Sequence, residues 1–121
     1  MQKADRKQYP RVEPMSASEE TESLFQAVFE QSAVGICYSD FDGVFIRVNP
    51  RFCELTGYAA DELVGRSFAA ITHPDDVAID ARLGDELIAG TRGPYTLEKR
   101  YIRKSGEIVW VRLTVTLKKK P

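Results

Sequence analysis

The sequence predicts an α+β domain in which two β-hairpins are separated along the chain by a block of helices, with one further helix leading in. Three observations carry this. The apolar period changes from helical to alternating near residue 33, Asp42-Gly43 and Lys104-Ser105-Gly106 each interrupt an alternating run, and helical spacing returns over 77–89. The order is helix, two strands, several helices, two strands.

Met1 to Met15 is polar, carries Pro10 and Pro14 and has no apolar period, so residues 1–16 are expected to form a flexible arm. Residues 17–121 then form a single domain, with a flanking helix at 17–31 and a core at 33–117. Ser16 with Glu19 makes a capping-box signature, and the pairs Leu24 with Val28 and Phe25 with Phe29 give the helix Ala17 to Gln31 one greasy face. Val34, Ile36 and Tyr38 alternate with Gly35, Cys37 and Ser39, and a second strand runs from Val44 to Asn49. Short helices follow at Arg51 to Thr56 and Asp61 to Val64, punctuated by Gly57 and Gly65. The longest helix inside the domain is Val77 to Ala89, and strands at Tyr95 to Arg103 and Glu107 to Leu117 form the second hairpin.

With 121 residues and 43% hydrophobic content the chain can bury one core, since a domain this size hides only about two thirds of the surface of its unfolded chain. Seventeen basic against eighteen acidic residues leave a formal charge of -1, which provides no general attraction for nucleic acid. The run Lys118-Lys119-Lys120 reads as a solvated terminus. Cys37 and Cys53 sit among apolar neighbours and no secretory signal is visible, so a reduced, cytoplasmic setting is expected. The apolar runs fall far short of the ~20 residues a membrane helix needs, so no direct membrane insertion is expected.

His73 is the only histidine, but no H-x-x-H, C-x-x-C or H-E-x-x-H spacing accompanies it, and no metal site is expected. In Thr72-His73-Pro74-Asp75-Asp76, Thr72 or Asp75 is expected to cap the helix that Pro74 begins. No phosphate loop or nucleophile elbow occurs, and an enzyme using His73 with Asp75 or Asp76 is the least supported reading. No catalytic residue is assigned. On the last strand Val109, Val111, Leu113, Val115 and Leu117 share the core face, while Ile108 and Trp110 stand on the other. Such a patch calls for a cover, and the greasy face of the 17–31 helix, from the same chain or a second copy, is the expected one. The expected interface is Leu24, Phe25, Val28, Phe29, Ile108 and Trp110.

From about Leu24 to Leu117 the residues resemble a PAS domain, a sensory module of bacterial signalling proteins. The resemblance rests on Asp40-Phe41-Asp42-Gly43 before a strand ending Asn49-Pro50, on Leu55-Thr56-Gly57-Tyr58, and on Glu62-Leu63-Val64-Gly65-Arg66. It continues with His73-Pro74-Asp75-Asp76 and with Arg103-Lys104-Ser105-Gly106 leading into Trp110-Val111. The order and spacing of these motifs together make it specific.

The resemblance implies an antiparallel sheet of order 2-1-5-4-3, with short helices and one longer helix over one face and a flanking helix at the N-terminus. No stretch after Leu117 reads as the family's fifth strand, so the N-terminal arm or a second chain is expected to fill its central place, unless the two edges pair differently or the chain is a piece of a longer protein, and a homodimer is expected partly on that ground. The resemblance also implies a cavity between sheet and helices, for a small ligand or for packing alone. Its expected lining is Ile36, Phe52, Leu55, Tyr58, Phe68, Ile71, Leu83, Leu87, Tyr101, Val111 and Leu113, which serve equally as a core. A cysteinyl-adduct flavin is disfavoured because Ser67 and Phe68 follow Gly65-Arg66, and haem because the long helix has no histidine. The implied role is a sensor or dimerisation module for an effector such as a histidine kinase or diguanylate cyclase. The alternative is a structural interaction module with a filled core and no ligand.

Overall fold

A computed structural model of the chain describes residues 2–3 and 19–117. Its elements are β1 (Gln2–Lys3), α1 (Glu19–Gln31), β2 (Ile36–Ser39), β3 (Phe45–Val48), α2 (Pro50–Thr56), α3 (Ala60–Leu63), a 3-10 turn at Phe68–Ala70, α4 (Pro74–Ala89), β4 (Tyr95–Ile102) and β5 (Ile108–Val115). The expected capping of the first helix by Ser16 and the solvated run 118–120 lie outside the described residues.

One antiparallel sheet of order β3-β2-β1-β5-β4 organises the molecule. Its centre answers the expectation that the N-terminal arm or a second chain fills the vacant place. Gln2 and Lys3 pair with Cys37 and Ile36 on one side and with Val115 and Thr114 on the other, so a segment of the N-terminal arm occupies the centre of the sheet. Two residues have no period to read, whereas the unpaired donors and acceptors of β2 and β5 do demand a partner. The sheet is thus continuous without a second chain.

The two faces of the sheet are covered differently. Over the inner face, α2 and α3 pack on a core of Cys37, Phe45, Val48, Phe52, Leu63, Ile71, Tyr101 and Val111, with Phe52 edge-on to both Phe45 and Tyr101, and Leu87 of α4 packs with Leu113 and Val115 beside it. On the outer face α1 lies over β2 and β3, where Phe25, Phe29 and Tyr38 stack with ring centroids 5.9 to 6.3 Å apart. The Arg47 guanidinium lies over the Phe29 ring at 4.4 Å.

Asn49 ties these layers together. Its Oδ1 accepts from the Ile36 and Phe52 amides at 2.9 Å, and its Nδ2 donates to the Phe29 and Val34 carbonyls at 3.0 and 2.9 Å. Fully buried, it satisfies every polar position of its side chain while capping α2 and anchoring the end of α1. That anchor decides which strands α1 covers. A short connection, Ser32 to Gly35, returns the chain directly into β2, so the helix lies on β2 and β3 and leaves Ile108 and Trp110 on β5 uncovered. The expected cover of that patch by this chain's own helix is corrected accordingly.

The edge strand β4 is closed by the segment before α4. The Ile102 amide donates to the Ile71 carbonyl at 2.8 Å, the His73 amide donates to the Arg100 carbonyl at 2.9 Å, and Asp76 accepts from the Arg100 amide at 2.8 Å. Along 100–102 this edge is thus already paired within the chain.

Candidate functional site

Between α4 and the end of the sheet lies a cleft of about 480 Å³, within the size range of small-molecule sites. Its walls come from three parts of the chain. The turn Tyr38 to Gly43 with Ile46 forms one side, the α4 residues Asp80, Ala81, Gly84, Asp85, Leu87 and Ile88 form another, and Tyr95, Val115 and Leu117 close it from the sheet, with Phe68 at the back.

Local chemistry places each wall. The α4 residues recur at three and four positions, which puts them on one helix face. Asp40 shapes the turn, since its Oδ1 accepts from the Asp42 and Val44 amides at 2.9 and 3.0 Å. Gly43 has φ +80°, and a Cβ there would stand 2.6 Å from the Phe68 ring, so only glycine allows both the turn and the ring's close approach. A bulge between Tyr38 and Ser39 leaves Ile46 outside the register, in the cleft wall. Gly84 leaves open the space where a side chain would stand, and the Tyr95 hydroxyl is 3.8 Å from its imagined Cβ.

Beneath the cleft is a buried charge pair. Lys99, fully buried on β4, donates through Nζ to Asp80 Oδ2 and to Thr72 Oγ1, the latter at 3.1 Å. Its ammonium faces the rings of Tyr101 at 4.7 Å and Phe68 at 5.1 Å. Burial pulls the Lys99 pKa below its ordinary value, while the Asp80 carboxylate works to restore it. The Tyr101 hydroxyl is buried without a hydrogen-bond partner among the described residues. Burial first, then Cys37 and Asp80, push its pKa well up. Tyr95, in the cleft wall, is pushed up to about 12 by burial and by Asp80.

The expected lining divides. Phe68 and Leu87 do stand in the cleft wall. Phe52, Ile71, Tyr101 and Val111 are buried in the adjoining core, Leu55 and Tyr58 pack at its margin, and Leu113 joins Leu87 and Val115 in a smaller cluster. Leu83 is half-buried outside the cleft wall. Ile36 is a correction: it faces outward beneath α1 with Phe29, and Cys37 takes the inner position. Both faces of β2 are covered, so alternation alone could not tell inside from outside.

The expected interface residues also separate. Phe25 and Phe29 are engaged with Tyr38, Val28 is half-buried, and Leu24 is exposed. Ile108 and Trp110 remain 51% and 64% exposed, enough for both to meet a partner. The cap of α4 is a further correction. His73 itself is the N-cap, its Nδ1 accepting from the Asp75 amide at 3.1 Å, whereas Thr72 is buried beside Lys99. Both cysteines are free thiols, and no three His, Cys, Asp or Glu side chains converge for a metal ion among the described residues. No helix there is long and apolar enough to cross a membrane.

Sequence reasoning missed Tyr38, Phe41, Ile46, Asp80, Tyr95 and Lys99. Only Lys99 left a signal. It stands between Leu97 and Tyr101 on the alternating apolar face of its strand, where a lysine needs a buried partner.

A family model described as the PAS fold matches residues 45–120. The chain is 35% identical over 98 residues to a probable diguanylate cyclase, DgcE, of Escherichia coli strain K12, covering 81% of this chain and 9% of that protein. It is 32% identical over 98 residues to the sensor histidine kinase TmoS of Ectopseudomonas mendocina, covering 80% and 10%. The chain therefore spans about a tenth of the length of these curated relatives. Its fold is similar to that of a domain of a sensory box sensor histidine kinase/response regulator from Geobacter sulfurreducens, with a TM-score of 0.72, 24% identity and coverage of 83% and 87%.

Proposed function

Because the chain belongs to the PAS fold family, we propose that it is the cytoplasmic sensory module of a bacterial signalling protein, taking a small molecule in the cleft and relaying its presence to a kinase or diguanylate cyclase effector. The observation that carries this reading is the way α4 is fastened between cleft and sheet. One face of α4 lines the cleft, and its Asp76 and Asp80 reach consecutive residues of β4, Arg100 and Lys99. Arg100 in turn lies over the Trp110 ring at 5.0 Å on the opposite face of the sheet. A ligand that shifts α4 thereby shifts the outer face, which is a population change between two packings. The proposed ligand is neither haem nor a cysteinyl-adduct flavin, since α4 has no histidine and Ser67 follows Arg66.

Ile108 and Trp110 favour a second reading, a homodimerisation module with a filled core. Amide-resolved nuclear magnetic resonance with a small-molecule library separates the two. Sensing is supported when a compound shifts Gly84, Leu87 and Tyr95 and, with them, Trp110. It fails when no compound moves the cleft amides while dilution alone moves Trp110.

A further inference from the structure

The cleft also has a charge preference. Its four charged lining residues are Asp40, Asp42, Asp80 and Asp85, and among the described residues neither lysine nor arginine nor histidine stands in its walls. Two of these acids are already committed. Asp40 holds its turn and Asp80 neutralises Lys99, which leaves Asp42 and Asp85, whose carboxylates make no hydrogen bond or ion pair among the described residues. Both are exposed, at the mouth. Deeper in, Leu87 and Val115 are buried and Phe68 half-buried, Ile46 adds an apolar side chain at the exposed rim, and Phe41, Phe68 and Tyr95 bring aromatic rings to the walls.

We propose that the cleft selects amphiphilic organic cations, seating an apolar chain or ring against Ile46, Phe68, Leu87 and Val115 and holding a protonated or quaternary amine between Asp42 and Asp85. This rests on the ligand-sensing reading above and gives that ligand a chemical class. Aromatic rings beside carboxylates suit a cation twice, through the negative faces of the rings and through charge, and both disfavour an anion. The wall already senses this field: Asp80 and Asp85 add to burial in raising the Tyr95 hydroxyl, against the opposing charge of Arg92.

The test compares three probes that share an apolar chain, decyltrimethylammonium, decanol and decanoate, each below its micelle concentration, by calorimetry with amide mapping on the full chain. The cation should bind about tenfold or more tighter than decanoate, with decanol between and shifts centred on Gly84, Leu87 and Tyr95. Asp42→Asn with Asp85→Asn should bring the cation to within about twofold of decanol and leave decanol unchanged. Decanoate binding as tightly as the cation overturns the inference, as does a cation preference that survives the double substitution. So do shifts confined to the Trp110 face. Decanol binding with no charge preference sinks the inference and leaves the sensing reading standing, and none of the three binding sinks the inference too, the sensing reading then resting on the library measurement.

Discussion

Lys99 and Arg100 are neighbours on β4, and each finds an aspartate on α4, yet they do opposite work. Lys99 points into the core, where it and Asp80 are 0% and 3% exposed. Arg100 points outward and grips Asp76 with two bonds, Nη2 to Oδ1 at 2.7 Å and Nε to Oδ2 at 3.0 Å, while both side chains keep contact with water. Asp76 and Asp80 lie one turn apart, so a single face of α4 is fastened to both sides of one strand. The buried pair gives up the hydration of two charges and returns little net stability, but it admits only one register between helix and strand. The outer pair loses less hydration, gains fork geometry and also closes the sheet edge, so it contributes to stability directly.

The largest expected effect comes from breaking the inner pair. Lys99→Met leaves the Asp80 carboxylate buried without a cation, and urea denaturation should show a loss of about 3–5 kcal/mol. Adding Asp80→Leu should recover most of it, because an apolar pair of similar volume carries no desolvation cost. A double variant as unstable as the single one would mean that Lys99 does more than balance charge.

The outer pair should show itself in pH. The Arg100 guanidinium, bonded to Asp76, holds that carboxyl down at about 2. A folded pKa below the unfolded one adds stability that is present above the ordinary aspartate range, roughly pH 4, and is lost as pH falls through about 2. Asp76→Asn should therefore cost ~1–2 kcal/mol at pH 7, allowing for solvent screening. Stability curves of the two proteins should converge between roughly pH 4 and pH 2. Curves that stay apart at the acid end would place the effect in the hydrogen bonds to Arg100 and leave charge out of it.

How far the sequence revealed this arrangement follows from what each signal measures. Helical spacing and Pro74 located α4, and alternation with turn glycines located both hairpins, because those signals are local and repeat along the chain. The cleft was less legible. Its walls come from a bulge, a turn and a helix distant in sequence, and Ile46 becomes a lining residue only because the register slips beside it. Ile36 was misplaced since a strand covered on both faces carries no inside marker. The partnership of Lys99 with Asp80 spans 19 positions, and nothing local in either residue names the other. β1 is too short for any period, and its place follows only from the sheet's need for paired backbone.

The smallest effect on folding should come from Trp110, and that smallness would sharpen the contrast between the two faces. Its ring is 64% exposed and meets Arg100 in a cation–π contact, so Trp110→Ala should lower stability by about 0.5–1 kcal/mol. Phe29→Ala, on the covered half of the same outer face, should cost about 3–5 kcal/mol, because Phe29 is fully buried. A large aromatic that contributes so little to its own fold is available for something else. Sedimentation of the Trp110 variant is the matching measurement: weaker self-association with nearly unchanged stability would assign the bare half of the face to a partner. A loss of stability near that of Phe29→Ala would instead make Trp110 part of the fold, and the proposed relay from α4 through Arg100 would end inside the domain.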